Sequence, residues 1–159
     1  LQDIVRQEDE FCTAESFEKF SQRIESHRKD VRQFFDKVLS NGQSVLGYGA
    51  STKGNIVLNY CDVGPNQMKA IGDANPEKWT RVTPGSNIPI VSKEEVRNLK
   101  PDYLFVLIWH FHREVLEEER DYVMQGGKIV FDLPKLHIVD KSNYDYHLDK
   151  GFSDYQYDF

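Results

Sequence analysis

The stretch Ser44-Val-Leu-Gly-Tyr-Gly-Ala-Ser-Thr-Lys-Gly-Asn55 constrains this chain more than any other. A short apolar run ends in two closely spaced glycines, then small hydroxyl residues, then a segment of helical character. That is the sequence form of a strand turning through a tight loop into a helix N-terminus. The first N–H groups of a helix lack intrahelical acceptors and carry the positive end of its dipole, so such a loop suits an anion. The ligand class it predicts is a nucleotide or a sugar-nucleotide. The loop does not specify a reaction.

Around this loop the chain alternates between apolar runs and amphipathic segments. Residues 13–40 read as a long amphipathic helix. Its stripe is Phe17, Phe20, Ile24, Val31, Phe34, Phe35 and Val38, with Thr13 as a cap and Asn41-Gly42 as a stop. Docking on a sheet face and linking to a neighbouring domain are both compatible with it. Val45–Tyr48 reads as a strand, Thr52–Cys61 as a helix, and Met68–Gly72 as a second strand ending at Asp73. A polar, proline-rich loop leads to the short apolar piece Ile88–Val91, and Ser92-Lys-Glu-Glu opens another helix. Tyr103–Trp109 is continuous and apolar, as a strand buried on both faces should be. His112–Met124 reads as a helix stopped by Gly126-Gly127, and Lys128–Leu133 as a last strand ended by Pro134.

Strands alternating with helices predict an α/β fold with right-handed crossovers and a mainly parallel sheet. Ligands of such sheets bind beyond the carboxyl ends of the strands, near the switch point of the strand order. The Gly47 loop, Asp73–Pro76, Trp109-His110 and Leu133-Pro134 should therefore share one edge. Three regions are expected: an N-terminal helix or linker over 1–42, a binding domain over 43–139, and an aromatic, acidic tail over 140–159. The tail either frays or wraps back over the domain.

Charge and cysteine content narrow the function. A net charge of −6 and a pI near 5.4 argue against a nucleic-acid binder. The two cysteines, Cys12 and Cys61, form no CxxC pair, which predicts a reduced, cytoplasmic setting and no zinc site. No run is long enough to span a bilayer, and no secretory leader is visible. The chain starts at Leu1 rather than Met, so a piece of a longer protein is expected.

Each motif has a plain alternative. Gly47 and Gly49 make a GxG, but the next glycine, Gly54, comes too late for the dinucleotide fingerprint. Asp73 stands where an acidic ribose ligand would stand, and equally where a loop cap would. Lys53 precedes Gly54 and no GKS/T follows, so the loop is not an NTP-hydrolysing P-loop. Ser51, Thr52, Lys53 and Asn55 supply hydroxyls, one cation and an amide, a set that suits a diphosphate, although a capped helix with a surface lysine also fits. His110 and His112 form HxH with no further metal ligands evident nearby, so no metal is expected; His110 suits ligand binding and His112 a helix cap. Trp109 could stack on a base or sugar, or fill the core. Glu117, Glu118 and Glu119 read as a solvated helix face. No catalytic constellation stands out.

Taken in order, the motifs resemble one known region. They are Gly47-Tyr-Gly-Ala-Ser-Thr-Lys-Gly-Asn55, Asp73-Ala-Asn-Pro-Glu-Lys-Trp79, Arg81-Val-Thr-Pro-Gly85, Ile88-Pro-Ile90, Pro101-Asp-Tyr103 and Trp109-His-Phe111. Over roughly residues 10–138 the chain is similar to the C-terminal domain of S-adenosylmethionine-dependent sugar C-methyltransferases. The resemblance implies a three-layer Rossmann-like fold that holds a nucleotide-diphosphate sugar. S-adenosylmethionine and the catalytic acid/base residues would belong to a methyltransferase domain absent here, acting in cis or in trans. The parent chemistry it implies is proton removal beside a sugar ketone, then attack of the enolate on the sulfonium methyl. The binding residues it implies are Gly47, Tyr48, Gly49, Ser51, Thr52, Lys53, Asn55, Asp73, Asn75, Lys78, Trp109 and His110. None of these is expected to be catalytic, and this chain alone would be inactive. Two alternatives compete: a stand-alone nucleotide-sugar-binding or interaction module, and an NAD-binding oxidoreductase-type domain.

Overall fold

The structure, a computed structural model, describes residues 12–150. It opens with α1 (Ala14–Ser40), capped by the Thr13 hydroxyl, which accepts the Ser16 N–H at 3.1 Å. There follow β1 (Val45–Tyr48), α2 (Thr52–Tyr60), β2 (Ile71–Asp73), β3 (Ile90–Ser92), α3 (Lys93–Asn98) and β4 (Tyr103–Val106). The remainder is α4 (His112–Glu118), α5 (Arg120–Met124), β5 (Lys128–Phe131), β6 (His137–Val139) and α6 (Tyr144–Lys150). Single 3-10 turns cover Pro76–Lys78 and Trp109–Phe111.

The strands form one sheet in the order β3-β2-β1-β4-β5-β6, parallel except for β6, which runs antiparallel to β5. This is the strand order of doubly wound nucleotide-binding sheets. The chain leaves β1 in one direction towards β3, then crosses back to add β4 on the other side. Strand order therefore reverses between β1 and β4.

Alternation along the strands sorts the core into two layers. Val45, Phe105 and Val130 face α1 and α2, where Val31, Phe34, Phe35, Val38, Val57 and Leu58 are buried. Leu46, Tyr48, Leu104, Val106, Ile129 and Phe131 face the opposite side, against Val96, Val115, Leu116, Val123 and Tyr144 of α3–α6. The fold is thus the three-layer, mainly parallel α/β arrangement the pattern predicts. Edge-to-face packing of Phe34 on Tyr103, with centroids 5.4 Å apart, fixes the docked half of α1 over the sheet. The first half of α1 is uncovered among the described residues: Phe17 is 64% and Phe20 53% exposed.

Several expected boundaries move. β2 starts at Ile71 rather than Met68, because Gly47 pairs with Ile71 in the ladder. β4 stops at Val106, and Trp109 sits in the following turn. The helix expected over 112–124 breaks at Glu119. Glu119 does not lie on a solvated face: it is 2% exposed and forks onto Arg97. β6 is an addition that the sequence pattern does not announce. Within the tail, the Tyr144 hydroxyl donates to the Leu116 carbonyl at 2.8 Å, tying α6 to α4; residues 151–159 lie outside the described residues.

Candidate functional site at the β1–β4 switch point

The glycine loop leaves β1 at the sheet's carboxyl edge. Gly49 has φ +82, a left-handed conformation that L side chains rarely adopt, and its N–H donates to the Gly72 carbonyl at 2.7 Å. Ser51 then caps α2: its hydroxyl accepts the Gly54 N–H at 2.9 Å and donates to the Leu107 carbonyl at 2.7 Å. One side chain thus fixes the start of α2 and locks it to the end of β4. Gly54 allows that closeness, since a Cβ there would stand 2.4 Å from the Leu107 Cβ. The cap leaves the Thr52 and Lys53 N–H groups without intrahelical acceptors. Both residues are exposed at this end of the helix.

Asp73, at the end of β2, braces the loop from the side. One carboxylate oxygen accepts the Ala50 N–H at 2.8 Å and the Lys78 ammonium at 3.1 Å. The other accepts the Asn75 N–H at 2.8 Å. Lys78 also donates to the Ala50 carbonyl at 2.9 Å, and the Trp79 indole N–H donates to the Asp73 carbonyl at 2.8 Å. Asn75 caps the short turn by accepting the Glu77 N–H at 3.0 Å. Asp73 thus caps the loop that follows β2 and braces the glycine loop from the side.

The fold therefore gathers Gly49, Ser51, Thr52, Lys53, Asn55, Asp73, Asn75, Lys78, Trp109 and His110 around the carboxyl ends of β1, β2 and β4. Among the described residues, the Asn55 side-chain oxygen is buried with no hydrogen-bond partner, an unmet acceptor within this group. Trp109 is half-buried and packs against both core layers, while His110 is exposed beside it. Gly47 lies in β1 against Ile71 and Met68. Tyr48 stands apart from the loop: it is 1% exposed on the α3 face, with the Lys93 ammonium 4.6 Å from its ring centroid. Burial first, and the Glu118 and Glu119 carboxylates second, push its phenol well above the ordinary range.

Two features escape a reading of the sequence. Asn59 donates to the Asn55 carbonyl at 2.8 Å and the Pro84 carbonyl at 3.0 Å, holding the Pro84-Gly85 loop against α2; a lone asparagine gives no such signal. His112 does not cap the helix that follows it. It is the first residue of α4, 3% exposed, with Phe111 at the cap position, and its ring meets His137 and His147. Burial foremost, then the neighbouring imidazoles, lowers His112 to about 4; burial likewise lowers His137 to about 4.

Comparison with known proteins places this geometry. The chain is 31% identical over 123 residues to the C-methyltransferase NovU of Streptomyces niveus, an alignment covering 77% of this chain and 29% of that protein. The chain thus spans well under half the length of this curated relative. The family described as the C-methyltransferase C-terminal domain matches residues 1–134. With the glycine loop at the switch point and a match over most of its length, the chain belongs to the C-methyltransferase C-terminal domain family.

Proposed function

We propose that this domain holds a nucleotide-diphosphate sugar for a sugar C-methyltransferase, while a methyltransferase domain outside this chain, in cis or in trans, supplies the methyl donor and the base. The observation that carries this reading is the α2 N-terminus, presented at the switch point by the Ser51 cap and flanked by exposed Lys53. Backbone N–H groups, the Thr52 hydroxyl and one point charge suit a diphosphate. Trp109 and His110 offer a ring face and a polar edge on the same rim, where a sugar or base could rest.

An acidic acceptor at the end of β2 would serve the ribose of an adenosine cofactor such as S-adenosylmethionine or NAD. Here Asp73 braces Ala50, Asn75 and Lys78, which favours a nucleotide-sugar over such a cofactor as the ligand of this loop. The work assigned to this chain is binding and orientation, which can supply much of the rate gain of a two-substrate reaction.

A thermal-shift screen with dTDP-, UDP-, GDP- and CDP-sugars, alongside S-adenosylmethionine and NAD, tests the reading. A ligand at a hundredfold excess over Kd adds roughly 2.7 kcal/mol, a readable shift. A shift with a nucleotide-sugar that Lys53→Ala weakens supports the proposal. A shift with NAD or S-adenosylmethionine alone overturns it.

A further inference from the structure

We propose that His112, His137 and His147 form a three-imidazole site for a borderline-soft divalent cation of the zinc class. The three residues come from three elements: His112 begins α4, His137 begins β6 and His147 lies in α6. Each offers a ring nitrogen, and these atoms all lie within 4.8 Å of one another. Two imidazole nitrogens on one tetrahedral ion, at bonds of about 2.0–2.1 Å, stand roughly 3.3 Å apart. Closing from the observed spacing is a movement on the scale of side-chain rotation.

The surroundings match the chemistry of such a site. The Nδ1 of His137 lies 2.8 Å from the Lys135 carbonyl, and a carbonyl can only accept, so Nδ1 carries the proton. That tautomer leaves Nε2 as the lone-pair donor, and backbone carbonyls commonly orient metal-bound histidines in this way. Phe131 walls the cluster, with its ring 4.3 Å from that of His112 and stacked on His137 at 5.3 Å. His112 is 3% and His147 8% exposed, so two of the donors are shielded from water. An all-nitrogen donor set selects zinc, nickel or copper over magnesium or calcium. Three protein ligands leave a fourth position for water or a further group.

A bound ion would staple β6 and α6 to α4, since metal affinity for the folded state is also folding free energy. This role is separate from the glycine loop. It stands whether or not the domain binds a nucleotide-sugar.

The test uses the tag-free chain, stripped with chelator and titrated with zinc, cobalt(II) and magnesium chloride. We expect about one zinc per chain by mass spectrometry of metals after dialysis, and a higher Tm with zinc but not with magnesium. Cobalt(II) should give the intense visible bands of tetrahedral nitrogen coordination. His137→Phe keeps an aromatic ring in the stack and should abolish zinc retention and the cobalt bands while circular dichroism shows a folded domain. His147→Phe should do the same. Absence of zinc uptake by the wild-type chain, or equal uptake by wild type and both variants, overturns the proposal and leaves the three rings as aromatic packing.

Discussion

The Nε2 of His27, on α1, lies 3.4 Å from the carboxylate of Asp132, which follows β5 and is fully buried. Desolvation alone would lower the imidazole. The attraction of the nearby Asp132 carboxylate foremost, with Cys61 adding to it, outweighs that and raises His27 to about 9. The pair anchors α1 to the far half of the sheet. A raised histidine contributes stability that is fully present below pH 6.5 and lost as pH rises towards 9. We expect Tm to fall across that window, by roughly 3 kcal/mol of stability in total. His112 and His137, lowered to about 4, are neutral in the folded state there, but their unfolded forms still carry protons near pH 6.5, so they add stability as pH rises until about one unit above that value. The loss due to His27 is therefore read over the upper part of the window. Asp132→Asn should flatten the profile between pH 6.5 and 9; an unchanged slope would exclude the pair as its source.

Gly54→Ala tests the contact between α2 and β4. A methyl there meets the Leu107 Cβ at 2.4 Å and the Leu107 carbonyl at 2.8 Å, and backbone cannot step aside cheaply. Overpacking of this kind costs about 1–3 kcal/mol, which exceeds the gain from better helix propensity. Gly64→Ala is the control, since its nearest contacts are ordinary ones at 3.7 and 3.9 Å. Denaturant midpoints should fall for the first and hold for the second.

Asp73 and Lys53 should separate bracing from binding. Asp73→Ala removes the acceptor of the Ala50 and Asn75 N–H groups and of Lys78, at a cost of about 2–3 kcal/mol. Hydrogen exchange at Ala50 should rise. Lys53→Ala, at an exposed position, should stay within about 0.5 kcal/mol of wild type while calorimetry shows weaker nucleotide-sugar binding. Equal destabilisation by both variants would place Lys53 in the brace.

The Arg97–Glu119 fork predicts a non-additive pair. Glu119 is 2% exposed, whereas Arg97 keeps 42% of its side chain in solvent. Arg97→Ala leaves a buried carboxylate uncompensated and should cost about 3 kcal/mol, the low end for such a loss because water reaches the site. Arg97→Met with Glu119→Leu removes both charges and should recover most of it. A double variant as unstable as the sum of its singles would refute the coupling.

Legibility followed the range of the forces. The unit from Val45 to Tyr60 was readable because apolar run, glycine turn and serine cap are local signals. The three-layer order followed from alternation, and with it the shared edge of the glycine loop, Asp73 and Trp109. The break at Glu119 was not readable, because its partner Arg97 lies on α3 and only tertiary packing joins them. For the same reason Glu119 passed for a surface residue. β6 carries too few residues to show a period, and its pairing partner Phe131 supplies the missing information. His112, His137 and His147 have no spacing motif; the return of α6 onto α4 brings them together.

The uneven docking of α1 makes it two objects in hydrogen exchange. Amides near Val31, Phe34, Phe35 and Val38 sit under buried side chains and should open only when the whole domain unfolds. Those around Phe17 and Phe20 have no core beneath them among the described residues, and an isolated stretch of that length is marginal in water. Their exchange should be fast and insensitive to destabilising core mutations. The protection of that first half would therefore serve as a gauge of docking: any partner that covers Phe17 and Phe20 should slow exchange there first, before it changes the global midpoint.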